Sequence, residues 1–271
     1  MFSSYTIRRP TQRRPRGPPP TFSQLVSASR DVIRTLKELG IDACFVGGMA
    51  CKLYGTTRQP GDLDIFCLTT SWAQEDLKRR LTETNSCFYL IPSRTPGATW
   101  KVLWYYIKET QSCCKVDILF PGTMDFPDIP VSVIDRSNPY AVPCVPLSAL
   151  LLLKLQGWIH HGEAVEFRYR SKQPNDAKDI KELLVIARRQ HIRPRTEVYL
   201  LSTFISEADS RVKTFVTKHP SSRDDWTTLG FSLPEDAFSS NSTGQKDAND
   251  MSALLKRLSI RYICIVIAHN C

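Results

Sequence analysis

The sequence predicts an α+β protein: a mixed β-sheet flanked by helices, with a helical extension toward the C-terminus. Three observations predict it. Helix-period and strand-period segments alternate from Thr21 to Phe120, and the last strands follow one another without an intervening helix, as antiparallel neighbours do. The run Asp62-Leu63-Asp64-Ile65 alternates acid with aliphatic, which puts both carboxylates on one strand face and both apolar side chains on the other. From Leu147 onward the apolar spacing turns helical.

The chain has 271 residues and 42% apolar composition, enough for one large domain or two small ones with a sizeable core. Its first 20 residues, MFSSYTIRRPTQRRPRGPPP, are Arg- and Pro-rich and too poor in apolar residues to fold alone. Arg8, Arg9, Arg13, Arg14 and Arg16 there supply five of the nine net positive charges, so the total is no argument for a nucleic-acid partner. An acid-free, Arg-rich start also suits an organelle transit peptide, although its prolines oppose the amphipathic helix that such peptides form.

From Thr21 to Gly40, Leu25, Val26, Val32, Ile33, Leu36 and Leu39 fall at helical spacing and Gly40 is a stop signal. Cys44 to Val46 reads as a short strand, Gly47-Gly48 as a turn into a helix, and GTTRQPG as a polar connection to the strand that begins at Asp62. Ser71 is the expected N-cap of a helix reaching about Glu83. Phe88 to Ile91, Trp100 to Ile107 and Cys114 to Phe120 read as strands. Trp100, Trp104, Tyr105 and Tyr106 either pack in the core or shape a base or acceptor pocket, with core packing the stronger reading.

A proline-rich connection, Pro121 to Pro146, leads to an almost wholly apolar helix from Leu147 to Ile159. A helix apolar all round is buried, so Lys154 within it either snorkels to the surface or reaches a polar site. The segment HHGEAVEFRYRSKQPND reads as a loop; His160 and His161 lack metal-ligand spacing and are assigned to the surface, as are Arg168, Arg170 and Lys172 unless they face an anionic substrate. A helix from Asp176 to about Gln190, with Ile180, Leu183, Leu184 and Ile186 on its apolar face, follows. Beyond it, Val198 to Lys218 suits another helix and Ser221 to Asn249 a loop. The final apolar run, Ile260 to Ala268, is too short to span a bilayer.

The chemistry concentrates on Asp62, Asp64 and the strand Lys115-Val116-Asp117-Ile118-Leu119. If the two strands pair, three carboxylates share one face and resist ionisation unless a cation lies between them. Mg2+ suits such a site, because it takes oxygen ligands and is shared between carboxylates and substrate phosphates. Gly47 and Gly48 add a turn where backbone amides can approach a phosphate. Phosphoryl or nucleotidyl transfer is the reaction class this combination suggests.

Gly47-Gly48, thirteen residues, Asp62-Leu63-Asp64-Ile65 and the later Val116-Asp117-Ile118 together resemble the signature of the nucleotidyltransferase superfamily with the DNA polymerase beta-like fold. Within it the likeness is to minimal, toxin-type and aminoglycoside-type nucleotidyltransferases. The resemblance spans about residues 22 to 190. It implies that Asp62, Asp64 and Asp117 hold Mg2+ with the triphosphate of an NTP donor and that Asp117 activates the acceptor hydroxyl as the catalytic carboxylate. Gly47, Gly48, Arg58 and Lys154 are the implied nucleotide-binding residues, and Asp176 and Asp179 possible organisers of the site. For the two last, helix capping and dipole stabilisation are an equal reading. Pro60 and Asn175 depart from the pattern, where Thr and Lys are usual.

The implied organisation is a tail (1–20), a nucleotidyltransferase core (21–145), a helical part completing the site (146–195) and a helical or loop extension (196–271). The acceptor, whether small molecule, protein or RNA, is open, and a nucleotide-binding regulatory module on the same fold is the alternative to an enzyme. A sugar-nucleotide glycosyltransferase or aspartyl phosphatase is disfavoured because their acidic pair follows a hydrophobic strand. No GxGxxG supports a dinucleotide-binding unit. Nine cysteines without a CxxC pair suggest reduced, buried thiols and a cytoplasmic protein, with mitochondrial or nuclear residence as alternatives; no membrane association is expected.

Overall fold

A computed structural model describes residues 17–122 and 126–233. Helix α1 (Phe22–Glu38) starts at a capping box in which Thr21 and Gln24 satisfy each other's amides, and it ends at Gly40, whose φ of +73° suits glycine. Leu25, Val32 and Leu36 form its fully buried stripe. Then follow β1 (Ala43–Phe45), α2 (Gly47–Tyr54) and β2 (Asp62–Cys67). After α3 (Gln74–Thr84) come β3 (Phe88–Pro92), β4 (Lys101–Ile107) and β5 (Ser112–Leu119).

The five strands lie in the order β1-β2-β5-β4-β3. Strand β5 pairs with β2 in parallel, whereas the other neighbours are antiparallel, so the sheet is mixed. This crossover brings the late strand beside the early one, with Asp64 opposite Asp117 and Asp62 opposite Lys115. The register decides the site, since a one-residue slip would turn Asp117 to the other face.

Helices α1 and α3 pack together against β1, β3 and β4. Helices α2, α4 (Leu147–Glu163) and α6 (Gln173–Arg189) form a second group beside β2, with the short α5 (Phe167–Arg170) between α4 and α6. Helix α7 (Ser202–Lys218) docks on α4 through Phe215, whose ring lies 4.9 Å from that of Trp158. The last helix, α8 (Arg223–Thr228), inserts Trp226 edge-on to Phe231, 5.3 Å away. One continuous apolar core joins the sheet to α7 and α8.

Several boundaries differ from the sequence reading. Ser71 caps nothing: its amide donates to Thr69 Oγ1 at 3.1 Å in a turn, and α3 begins three residues later without a side-chain cap. The stretch from His160 to Asp176 is mostly helical, because α4 continues to Glu163 and α6 starts at Gln173. Gly162 permits this close crossing, since a Cβ there would lie 2.0 Å from Gln173 Nε2. Within the expected loop from Ser221, Trp226 is fully buried and anchors α8 among otherwise polar residues. Of the aromatic strand only Tyr105 belongs to the core, stacking edge-on to Phe88 and donating to Asp31, whereas Trp100, Trp104 and Tyr106 are half-buried and outside it. The calls on the Arg-rich tail before Gly17 and on everything after Leu233 lie outside the described residues. Among the described residues no helix is long and apolar enough to cross a membrane.

Candidate active site

Asp62, Asp64 and Asp117 each offer an oxygen within 4.8 Å of the others. The parallel pairing of β2 and β5 makes this cluster, which lines a cleft of about 410 Å³ together with the start of α2, one stripe of α4 and the start of α6. Asp117 is 7% exposed. Burial, then the nearby Asp62 and Asp117, push Asp64 up to about 7, with Lys154 and Lys115 only partly opposing. Burial likewise raises Asp117 to about 6 although Lys115 Nζ donates to its Oδ2 at 2.8 Å. Three carboxylate oxygens this close are the kind of donor set that a hard divalent cation takes, so the residues present fit Mg2+.

Gly47 is dictated by Asp64. Its φ is +59°, and a Cβ there would stand 1.9 Å from Asp64 Oδ2. The backbone of α2's first turn can therefore lie against the carboxylate cluster only without a side chain. At Gly48 the constraint is milder, because a Cβ would meet the flexible end of Arg58 at 3.0 Å. Val46, whose amide donates to Asp64 O at 3.0 Å, ties the turn to β2.

The connection before Asp62 is clamped by α6. Glu182 accepts from the amide and hydroxyl of Thr57 at 2.5 and 2.7 Å. Arg58 donates two bonds to Asp179, from Nε at 2.9 Å and Nη2 at 2.6 Å.

Lys154 reaches inward rather than snorkelling. Its ammonium lies 3.2 Å from Asp176 Oδ1 and 2.9 Å from Asp179 Oδ2. Burial works against this charge, but the surrounding negative groups, Asp176 and Asp179 among them, hold the ammonium above the usual lysine range. Burial would also raise the two carboxylates; instead His161 and Lys154 at Asp176, and Arg58 and Lys154 at Asp179, keep them below the usual range. Asp176 and Asp179 are therefore members of a buried charge network as well as early residues of α6.

Of the residues singled out in the sequence, Gly47, Gly48, Arg58, Asp62, Asp64, Asp117, Lys154 and Asp176 line this cleft and Asp179 backs Arg58 and Lys154, whereas Trp100, Trp104, Tyr105, Tyr106, Arg168 and Arg170 do not line it. Asn175 and Lys172 line it too. The assignment of His160 and His161 to the surface is corrected: both line the cleft, and His161 Nδ1 lies 2.5 Å from Asp176 Oδ2. For His161 the signal was available in the spacing from Lys154, since it lies seven residues on and so on the same helical face.

No protein-family model and no curated protein matches this sequence. Among solved structures, it is similar to an antigenic nucleotidyltransferase-like protein from Paracoccidioides brasiliensis, with a TM-score of 0.59 and 15% identity over 78% of this chain and 95% of that one. Two structures of the antibiotic-resistance factor ANT(2'')-Ia superpose more loosely. The solution structure has a TM-score of 0.38 at 11% identity, covering 76% of this chain and 98% of that one. The complex with adenylyl-2''-tobramycin has 0.35 at 10%, covering 60% and 94%. At a TM-score of 0.59 the first likeness establishes the fold: this chain has a nucleotidyltransferase-like fold.

Proposed function

We propose that the protein is a Mg2+-dependent nucleotidyltransferase that moves an NMP from an NTP to a hydroxyl or phosphate acceptor and releases pyrophosphate. The observation that carries this reading is the carboxylate cluster of Asp62, Asp64 and Asp117, closed from one side by a glycine that the cluster itself requires. Asp62, Asp64 and Asp117 would hold the metal, which when bound neutralises charge on the triphosphate and favours the attacking oxygen. The amides at the start of α2, where Gly47 and Gly48 line the cleft, would receive the phosphates. Asp117 orients or deprotonates the acceptor hydroxyl, and Lys115 fixes its carboxylate. The clamp from Asp179 to Arg58 sets the strand start that carries Asp62. Apolar Leu119, Leu150 and Leu153 wall the cleft and exclude water from the reacting groups.

The volume suits a nucleotide with room toward an open side for the acceptor, a small molecule, a protein side chain or an RNA end. Free thiols at Cys44, Cys51, Cys67, Cys87, Cys113, Cys114 and Cys144 support a reducing compartment such as the cytoplasm. One observation favours a second reading, a nucleotide-binding module without turnover: Lys115 already neutralises part of the charge at Asp117. Pyrophosphate release on mixing with each NTP and Mg2+ separates the two. The enzyme releases pyrophosphate and loses that activity, while remaining folded, with alanine at Asp62 and Asp64; turnover retained in the folded double variant contradicts the assignment.

A further inference from the structure

We propose that His161 is a binding residue for the polyphosphate tail of the donor nucleotide, an inference that rests on the donor being an NTP. The two cations that the resemblance assigns to that tail are already matched: Arg58 by Asp179, and Lys154 by Asp176 and Asp179. Added to these at the same end of the cleft are Lys172 and His161. His161 is joined to that pair of cations through Asp176, which contacts both the His161 Nδ1 and the Lys154 ammonium. This group lines the same cleft as the acidic cluster, an arrangement suited to an anion held by metal on one part and by hydrogen-bond donors on another.

The imidazole is locked in place. Its Nδ1 side is taken by Asp176 at 2.5 Å, and the buried ring of Tyr169 lies parallel to it at 6° with centroids 6.4 Å apart. An ionised carboxylate only accepts, so Nδ1 carries the proton and Nε2 is the atom left for a ligand. The contact to a phosphate oxygen runs through an N–H at Nε2, while Asp176 holds the ring from its Nδ1 side. Asp176 acts behind it as the orienting group, as carboxylates do behind metal-binding histidines.

The test is calorimetric binding of Mg2+ with inorganic tripolyphosphate, and of NTP, to the wild type, His161→Gln and His161→Arg, with melting curves for each. The expected result is about tenfold weaker tripolyphosphate and NTP binding for His161→Gln, as for one lost charge-assisted hydrogen bond, and recovery in His161→Arg. In the wild type, tripolyphosphate should also shift the His161 ring resonances, a readout that needs no variant to fold. Unchanged affinity in a folded His161→Gln overturns the inference and leaves the transfer reading intact; so does a fall in kcat with NTP affinity unchanged, which would mark a base rather than a phosphate contact. Conversely, weakened tripolyphosphate binding in a protein that transfers no NMP supports His161 and contradicts the transfer reading. Failure of the wild type to bind tripolyphosphate overturns the His161 assignment.

Discussion

Gly47→Ala is the sharpest perturbation this cleft offers. The new methyl group would stand 1.9 Å from Asp64 Oδ2 and 2.7 Å from its Cγ, at a backbone φ of +59°. The left-handed conformation alone costs a non-glycine residue ~1–2 kcal/mol. Contacts below 3.0 Å are not tolerated at Cβ, so the carboxylate must also retreat by more than about 1 Å. A misplacement of that size at a reacting centre costs roughly 100-fold in rate. Urea unfolding should therefore show a loss of more than ~1–2 kcal/mol with the fold retained, while pyrophosphate release falls on the order of 100-fold and Mg2+ binds more weakly. Gly48→Ala is the steric comparison for stability: its Cβ meets the Arg58 guanidinium at 3.0 Å without a positive φ, and alanine in a helix is favoured over glycine by ~0.5–1 kcal/mol, so it should lose less stability than Gly47→Ala. Equal stability losses in Gly47→Ala and Gly48→Ala would refute the claim that Asp64 dictates Gly47.

Other parts of the network answer to separate measurements. Lys154→Met leaves Asp176 and Asp179 buried with one cation fewer, and urea midpoints should register a loss of ~3–5 kcal/mol; a change below about 1 kcal/mol would mean that Arg58 and His161 alone satisfy the pair. In EDTA, Asp64 keeps its proton in the folded state up to about 7 but loses it near 3.8 when unfolded, so the native state binds the extra proton between those values. Its contribution is present below about 4 and lost as pH rises through about 7. The wild type should accordingly lose stability relative to Asp64→Asn by a few kcal/mol between pH 4 and 7, and Mg2+ should restore part of it at pH 7. Parallel stability curves for the two proteins over that range would contradict the placement of Asp64 beside Asp62 and Asp117.

Much of the site was legible because its parts sit on regular elements. Period two put Asp62 and Asp64 on one face of β2, and the β-branched setting of Asp117 marked a second strand; the parallel register that joins them came only with the sheet order. Lys154 was visible as a charge in an apolar helix, but not its direction, since snorkelling and inward pointing share one sequence pattern. The histidines were missed because charge and polarity around residues 160–172 look like a solvated loop, whereas the stretch is mostly helical and leaves both half-buried along the cleft. Ser71 is a good capping residue that lost to a local turn made by Thr69. In α8 a single buried Trp226 outweighs the polar composition around it. Asp176 and Asp179 show the same limit, because helix capping and ion pairing place identical residues at identical positions.

The most direct test of the account is transfer of label from each alpha-labelled NTP in the presence of Mg2+, first to the purified protein and then to a cell extract, alongside Asp62→Ala/Asp64→Ala. The account predicts a labelled acceptor with the intact carboxylates and none with the variant, the labelled fraction identifying the acceptor class. Tight NTP binding with no labelled product from any of the four nucleotides, or label that persists in the folded variant, would contradict it.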